Sequence, residues 1–316
     1  MTRFALVLPV LCAGALAAVA SPALATFPGQ NGRIAFDSDR HGGDIDIFTM
    51  RPGGGDVRNL TKGSEAIDGL ANWSPDGRRI VFNSDRETAR NPDPRGARGP
   101  DVEIFVMNAQ GGNVRQVTDN ELDDEDPAWS PDGSRIVFQR DLKPVRGKTD
   151  YDLFTMAADG TDERRLTRSR GVDDLYPNWS SRGRIVFASD RDGDDLEIYT
   201  MRPDGSKVRQ LTSNRFNEEF PNWSPSGKTI GFHRERNDNF DVYRMRRDGG
   251  GVERLTTDRA GEGLPAFSPD GRLITFFSES GGTPDIFTMR RGGGGQANRT
   301  SDKAFDFAPD WQPQPR

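Results

Sequence analysis

A five-residue pattern of acid, apolar residue, aromatic or apolar residue, variable residue and methionine is written six times, at Asp46–Met50, Glu103–Met107, Asp152–Met156, Glu197–Met201, Asp241–Met245 and Asp285–Met289. Repetition of this kind constrains architecture before any single residue is considered, because each unit needs its neighbours to bury its apolar faces. A second short run precedes each copy, as in Arg79-Ile80-Val81-Phe82, Arg135-Ile136-Val137-Phe138 and Arg184-Ile185-Val186-Phe187. A third follows, ending in a hydrophobic residue and threonine at Leu60-Thr61, Val117-Thr118, Leu166-Thr167, Leu211-Thr212 and Leu255-Thr256. Runs this short, rich in β-branched and aromatic residues and bounded by glycine turns, are strands. Adjacent apolar residues within one run imply burial on both faces.

A fourth run opens each unit with an aromatic residue and a turn, at Trp73 to Gly77, Trp129 to Gly133, Trp179 to Gly183, Trp223 to Gly227 and Phe267 to Gly271. Where the turn reads Ser-Pro-Asp-Gly, proline at its second position and glycine at its fourth suit a tight hairpin. The steps from Trp179 to Trp223, Phe267 and Trp311 are 44 residues each, the length of one four-stranded propeller blade. The first unit, from Arg33-Ile34-Ala35-Phe36 to Thr61, lacks its opening strand, and the chain ends with a spare one around Pro309-Asp310-Trp311. The sequence therefore predicts an all-β, six-bladed β-propeller of four-stranded antiparallel blades. A C-terminal inner strand is expected to complete the N-terminal blade and leave no open sheet edge. The tryptophan series is read as blade-to-blade packing.

The start of the chain predicts the compartment. Arg3 precedes an apolar run from Phe4 to Ala20, and Ala23-Leu24-Ala25 is a small-x-small cleavage site, so residues 1–25 read as a signal peptide and 26–316 as the mature single domain. The expected location is periplasmic or secreted. Cys12, the one cysteine, lies in the leader after Leu11, where a lipid-attachment site would want a small residue. No disulfide or thiol chemistry is therefore expected in the mature protein. The net charge is −6, and loss of Arg3 makes it more negative, which excludes nonspecific nucleic-acid binding. No membrane span is expected, and the protein is read as a monomer.

With these features in view, Asp126-Pro127-Ala128-Trp129-Ser130-Pro131-Asp132-Gly133 followed by Ile136-Val137-Phe138 resembles the repeat of TolB-type propellers. The resemblance recurs across nearly the whole mature chain. It implies a rigid disc that docks other proteins; some relatives hold calcium in the central channel and some carry a fused peptidase domain. TolB has an α/β domain before its propeller, whereas here the first strand is expected soon after the cleavage site, so a Tol–Pal role is not carried over.

An acid lies five positions before each aromatic opening residue: Asp68, Asp124, Asp174, Glu218, Glu262 and Asp306. Repetition predicts a ring of these carboxylates at the channel mouth, on the face where second and third strands connect. Six such charges would raise one another's pKa unless cations intervene. Arginines of a Ser-Asp-Arg element, Arg40, Arg86 and Arg191, with Arg140 and Arg236 as variants, are the expected partners, in pairs that run between blades. Blade six breaks the pattern with Ser278-Glu279-Ser280. Its acid is expected to lack an arginine, which favours a metal or ligand there. No cofactor is required, and calcium in the channel is the one the pattern admits.

Two insertions fall on the same face, with Arg90, Arg95 and Arg98 in blade two and Lys143, Arg146 and Lys148 in a lengthened blade-three loop. Extra loop length is where function is commonly grafted, and these residues are the expected contacts for a protein or peptide partner. His41 and His233 are too few for a zinc triad and are read as solvated loop residues. With no nucleophile elbow present, the expectation is a non-catalytic protein-binding scaffold. The alternative is a metal-assisted polysaccharide lyase or hydrolase that uses the acid ring.

Overall fold

The computed structural model describes residues 27–86, 101–145, 148–193, 195–237 and 239–314. The proposed leader, Arg90, Arg95, Arg98 and Arg146 lie outside the described residues, as does the side chain of Lys143. Six antiparallel sheets of four strands each make up the fold, and no helix occurs among the described residues. Consequently no described helix is long and apolar enough to cross a membrane.

The innermost strands are Asp68–Trp73, Asp124–Trp129, Asp174–Trp179, Glu218–Trp223, Glu262–Phe267 and Asp306–Gln314, for blades two to six and then blade one. Each lies against the next around the ring. Blade one is built from both ends of the chain: Asp306–Gln314 pairs with Gln30–Ser38 in a register that sets Trp311 opposite Ile34 and Gln314 opposite Gln30. The sheet edge that would otherwise face the centre is thereby covered.

Packing between blades follows the repeat. Trp73, Trp129 and Trp311 are fully buried, and second and third strands contribute paired rings such as Phe82 and Phe105, with centroids 5.8 Å apart. The residue before the aromatic forms a clamp: Asp310 accepts from Trp73 N–H at 2.8 Å, Asn72 from Trp129 N–H at 3.1 Å and Asn178 from Trp223 N–H at 3.3 Å. Burial pushes the Asp310 carboxyl well above its ordinary value. In the opening hairpins, Gly77 has φ of 66°, and a Cβ there would stand 2.1 Å from the Pro313 carbonyl oxygen, so only glycine lets blades one and two close.

Every inner strand carries a bulge at its third residue. Leu70, Asp126, Tyr176, Phe220, Leu264 and Ala308 all have φ between 52° and 61°, and the pairing register shifts there. A left-handed non-glycine residue costs about 1–3 kcal/mol, and here it re-aims side chains. Proline follows in five blades (Pro127, Pro177, Pro221, Pro265, Pro309), where a missing N–H is tolerated because the ladder is already interrupted.

The blade-three insertion differs from the expected loop. Arg135–Val145 and Lys148–Ala157 form one lengthened hairpin, in which Asp141 faces Tyr151 and Leu142 faces Asp150. Leu142 packs against the neighbouring core, and the ladder continues into the segment expected to be loop.

Candidate functional site

Each ring acid is the first residue of an inner strand and pairs with one residue of the second strand: Asp68 opposite Ser84, Asp124 opposite Arg140, Asp174 opposite Ser189, Glu218 opposite Arg234, Glu262 opposite Ser278 and Asp306 opposite Ser38. This level is the face on which second strands run into third strands. All six side chains are buried.

Five of the acids hold a guanidinium, each from its own blade and not from a neighbouring one, because acid and arginine are carried by paired first and second strands. Arg40 donates to both oxygens of Asp306 at 2.8 Å, Arg86 to Asp68 at 2.6 Å, Arg140 Nη2 to Asp124 at 2.8 Å, Arg191 to Asp174 at 2.5 Å and Arg234 Nε to Glu218 at 2.7 Å. The arginine arrives by two routes. In blades one, two and four it stands two residues beyond a serine whose hydroxyl accepts from its Nε at 3.0 Å. In blades three and five it occupies the serine's own strand position, so the partner of Glu218 is Arg234 and not Arg236, which lies over the Phe216 ring at 5.2 Å. Each of the five guanidinium groups also sits over its blade's aromatic pair, as Arg191 does over Phe187 and Tyr199 at 5.1 and 5.0 Å, an arrangement that suits a planar cation.

Burial, not repulsion between ring members, is the largest cause of the raised carboxyls of Asp68, Asp124, Asp174, Glu262 and Asp306. Asp124 is pushed to about 6 against the pull of Arg140. Behind it Glu103, on the third strand of the preceding blade, is pushed to about 8 by burial and then by Asp124. Like charge therefore acts across a blade interface rather than around a channel mouth.

The centre is filled. Leu70, Phe220, Leu264 and Ala308, carried inward on the strand bulges, pack with Phe277 and Phe307 from blades six and one. Tyr176 joins them, its ring 3.8 Å from that of Phe220. Among the described residues, no group of three or more His, Cys, Asp or Glu side chains is arranged to hold a metal ion.

His233 is not a solvated loop residue. It lies within the strand Thr229–Arg236, is 1% exposed and meets Glu219 through Nε2 at 3.2 Å. Its inward strand position beside the central cluster accounts for the burial. His41 lies 3.3 Å from Asn59 and against the Phe48 ring. Lys148 is exposed at the end of the blade-three hairpin.

Buried polar residues that the sequence reading passed over brace the inner bulges. Asp37 accepts from Leu70 N–H and Gln139 from Tyr176 N–H, both at 2.8 Å. Their signal is a polar residue directly after the apolar triplet of a second strand, as in Ile34-Ala35-Phe36-Asp37. Near Gln139, Glu125 is pushed to about 8 and Asp141 to about 6, in both cases by burial first and by Asp123 next.

The architecture is thus that of a six-bladed β-propeller with arginine-braced acids within its blades. The chain belongs to the TolB beta propeller domain family, which matches residues 97–218 and 213–316. It is 32% identical over 209 residues to an uncharacterized protein of Agrobacterium fabrum, covering 56% of this chain and 68% of that one. It is 33% identical over 141 residues to a TolB homolog of Chlorobium luteolum, covering 44% of this chain but only 29% of that protein's length. In fold it is similar to TolB from Acinetobacter baumannii, with a TM-score of 0.74 at 21% identity over 91% of this chain and 68% of that one.

Proposed function

We propose that this chain is an exported binding scaffold that presents the ring-acid face, with the blade-two and blade-three insertions, to a protein or peptide partner and performs no chemistry of its own. The observation that carries this reading is the pairing of Asp68, Asp124, Asp174, Glu218 and Asp306 with guanidinium groups. A carboxylate that works as a general base or a metal ligand needs oxygens open to substrate or ion, whereas these five are buried and engaged. Membership among the TolB-like propellers supports protein binding at that level of detail. The metal-assisted lyase or hydrolase is the alternative, and it would have to work through Glu262, the ring acid that no guanidinium meets among the described residues.

The test is affinity capture of the tagged protein from its native exported fraction. Charge reversal of Arg90, Arg95, Arg98, Lys143, Arg146 and Lys148 is expected to weaken capture and change its salt dependence, while reversal of Arg202 and Lys207 in the blade-four turn on the opposite face changes little. Loss of the partner from the second variant alone would assign the working face to the other side. Metal-dependent cleavage of an acidic polysaccharide by the purified protein would replace the scaffold reading, and an N-terminus other than Thr26 in the exported fraction would overturn the proposed processing.

A further inference from the structure

Five blades bury the same assembly: a ring acid, a guanidinium bound to it and a pair of aromatic rings beneath the guanidinium. Blade six keeps the acid and the rings. Glu262 is 1% exposed, and Phe276 and Phe287 have centroids 5.8 Å apart, as in the other blades. Both positions from which the other blades deliver an arginine are serine here, Ser278 and Ser280, whose hydroxyls lie 3.1 Å apart.

Two consequences are visible. Oε2 of Glu262 is buried without a hydrogen-bond partner. Asp68, Asp174 and Glu218 also leave one oxygen so placed, but each has a guanidinium on the other, and among the described residues no guanidinium reaches Glu262. The second consequence is at the rings: Phe48, Phe105, Phe154, Tyr199 and Tyr243 are all 7% exposed or less, whereas their counterpart Phe287 is partly uncovered. Beside it Ser280, Gly281 and Gly282 are exposed, and open space surrounds Gly282.

We propose that blade six is a socket for an arginine side chain of the partner polypeptide, whose guanidinium rests over Phe276 and Phe287 and on Glu262 and so supplies in trans what the other blades supply in cis. The inference rests on the scaffold reading and names the chemistry of its partner. A planar guanidinium matches an aromatic floor beside a carboxylate, while a hard divalent ion would want several oxygen ligands instead. The groups around Glu262 are Thr256, Ser278, Asp258 and Asp241, the last bound to Arg254 at 2.7 Å. The unbalanced charge nearby is therefore negative. Burial raises the Glu262 carboxyl, and an arriving guanidinium pulls it down, as Arg86 does at Asp68.

The test is a chemical-shift titration of the whole protein with acetyl-Gly-Arg-Gly-amide and its uncharged citrulline counterpart. The arginine peptide is expected to shift signals around Glu262 and Phe287 and to bind about tenfold more tightly than the citrulline peptide. Ser280→Arg, which restores the serine-x-arginine arrangement of blades one, two and four, should raise the Tm and abolish peptide binding, and Glu262→Gln, which removes the carboxylate, should abolish binding as well. Equal binding of the two peptides, or undiminished binding by both variants, overturns the socket; should Ser280→Arg fail to fold, Glu262→Gln alone decides. A wild-type protein that captures its partner yet shows no preference for the arginine peptide overturns this inference and leaves the scaffold standing. Preference for the arginine peptide without any captured partner supports the socket and removes the scaffold reading alone.

Discussion

Nη2 of Arg40 lies 2.8 Å from both carboxylate oxygens of Asp306, a residue 266 positions further along the chain. The same arginine reaches Asp302 at 3.3 Å. Blade one thus takes its guanidinium from one end of the sequence and its ring acid from the other, and the strand pairing of Ile34 with Trp311 follows the same division.

Removing residues 306–316 should therefore unmake the first sheet and not merely shorten it. The expected outcome is a lower Tm, followed by thermal scanning, and aggregation through the bared edge, seen by size-exclusion chromatography. Trp311→Ala, which empties a fully buried site, is milder and should cost about 3–5 kcal/mol in urea denaturation. A soluble truncated chain with an unchanged melting curve would refute closure by the last strand.

Arg140 is held between Asp124 and Glu163 and is nearly buried. Arg140→Ala leaves Asp124 charged or forces a proton onto it, and should destabilise by about 3–5 kcal/mol. Arg202→Ala, at an exposed turn, should change stability by no more than about 0.5 kcal/mol. Urea denaturation of the two variants beside the wild type makes the comparison.

The carboxyl of Asp141 is pushed to about 6 by burial and by Asp123, Asp173 and Asp150. In the unfolded chain an aspartate titrates near its ordinary value of about 3.9. Below that value both states hold the proton and the fold carries no penalty. Between there and about 6 the unfolded state loses its proton first, so stability falls as pH rises and stays lower above. Asp141→Asn should then raise the Tm at pH values above the folded pKa and lose that advantage in acid. Melting curves across this range check the sign, and an advantage confined to acid would contradict it.

Because guanidinium groups already meet five of the six ring acids, chelation of divalent ions is expected to leave the Tm within about 1 °C, and calcium should not raise it. A fall on chelation that calcium reverses would place a cation in the ring.

The repeat made the blades legible because each short run recurs with the same neighbours, and the missing first strand showed where Trp311 belongs. Arg40, Arg86 and Arg191 were legible because a serine stands two residues before each. The choice between Arg234 and Arg236 was not, since residues two apart on a strand share a face and only the register opposite Glu218 separates them. Nor was the filled centre. Leu70, Tyr176, Phe220 and Leu264 turn inward through a left-handed backbone that leaves no mark in the residue type, because glycine is absent from the bulge. The burial of His233 escaped for a related reason: a lone histidine in a strand carries no period that says which side it faces.

Sharing blade one between the two ends also sets a timetable. The inner edge of Gln30–Ser38 can be paired only once Asp306–Gln314 has been made, and at the usual pace of translation the interval is on the order of tens of seconds. Through that interval the earliest strand of a nascent chain is an unfinished template, able to pair with any extended segment it meets. The ring that ends without an exposed seam thus spends its synthesis with one open, and the stretch most in need of shielding is the first part of the propeller to emerge.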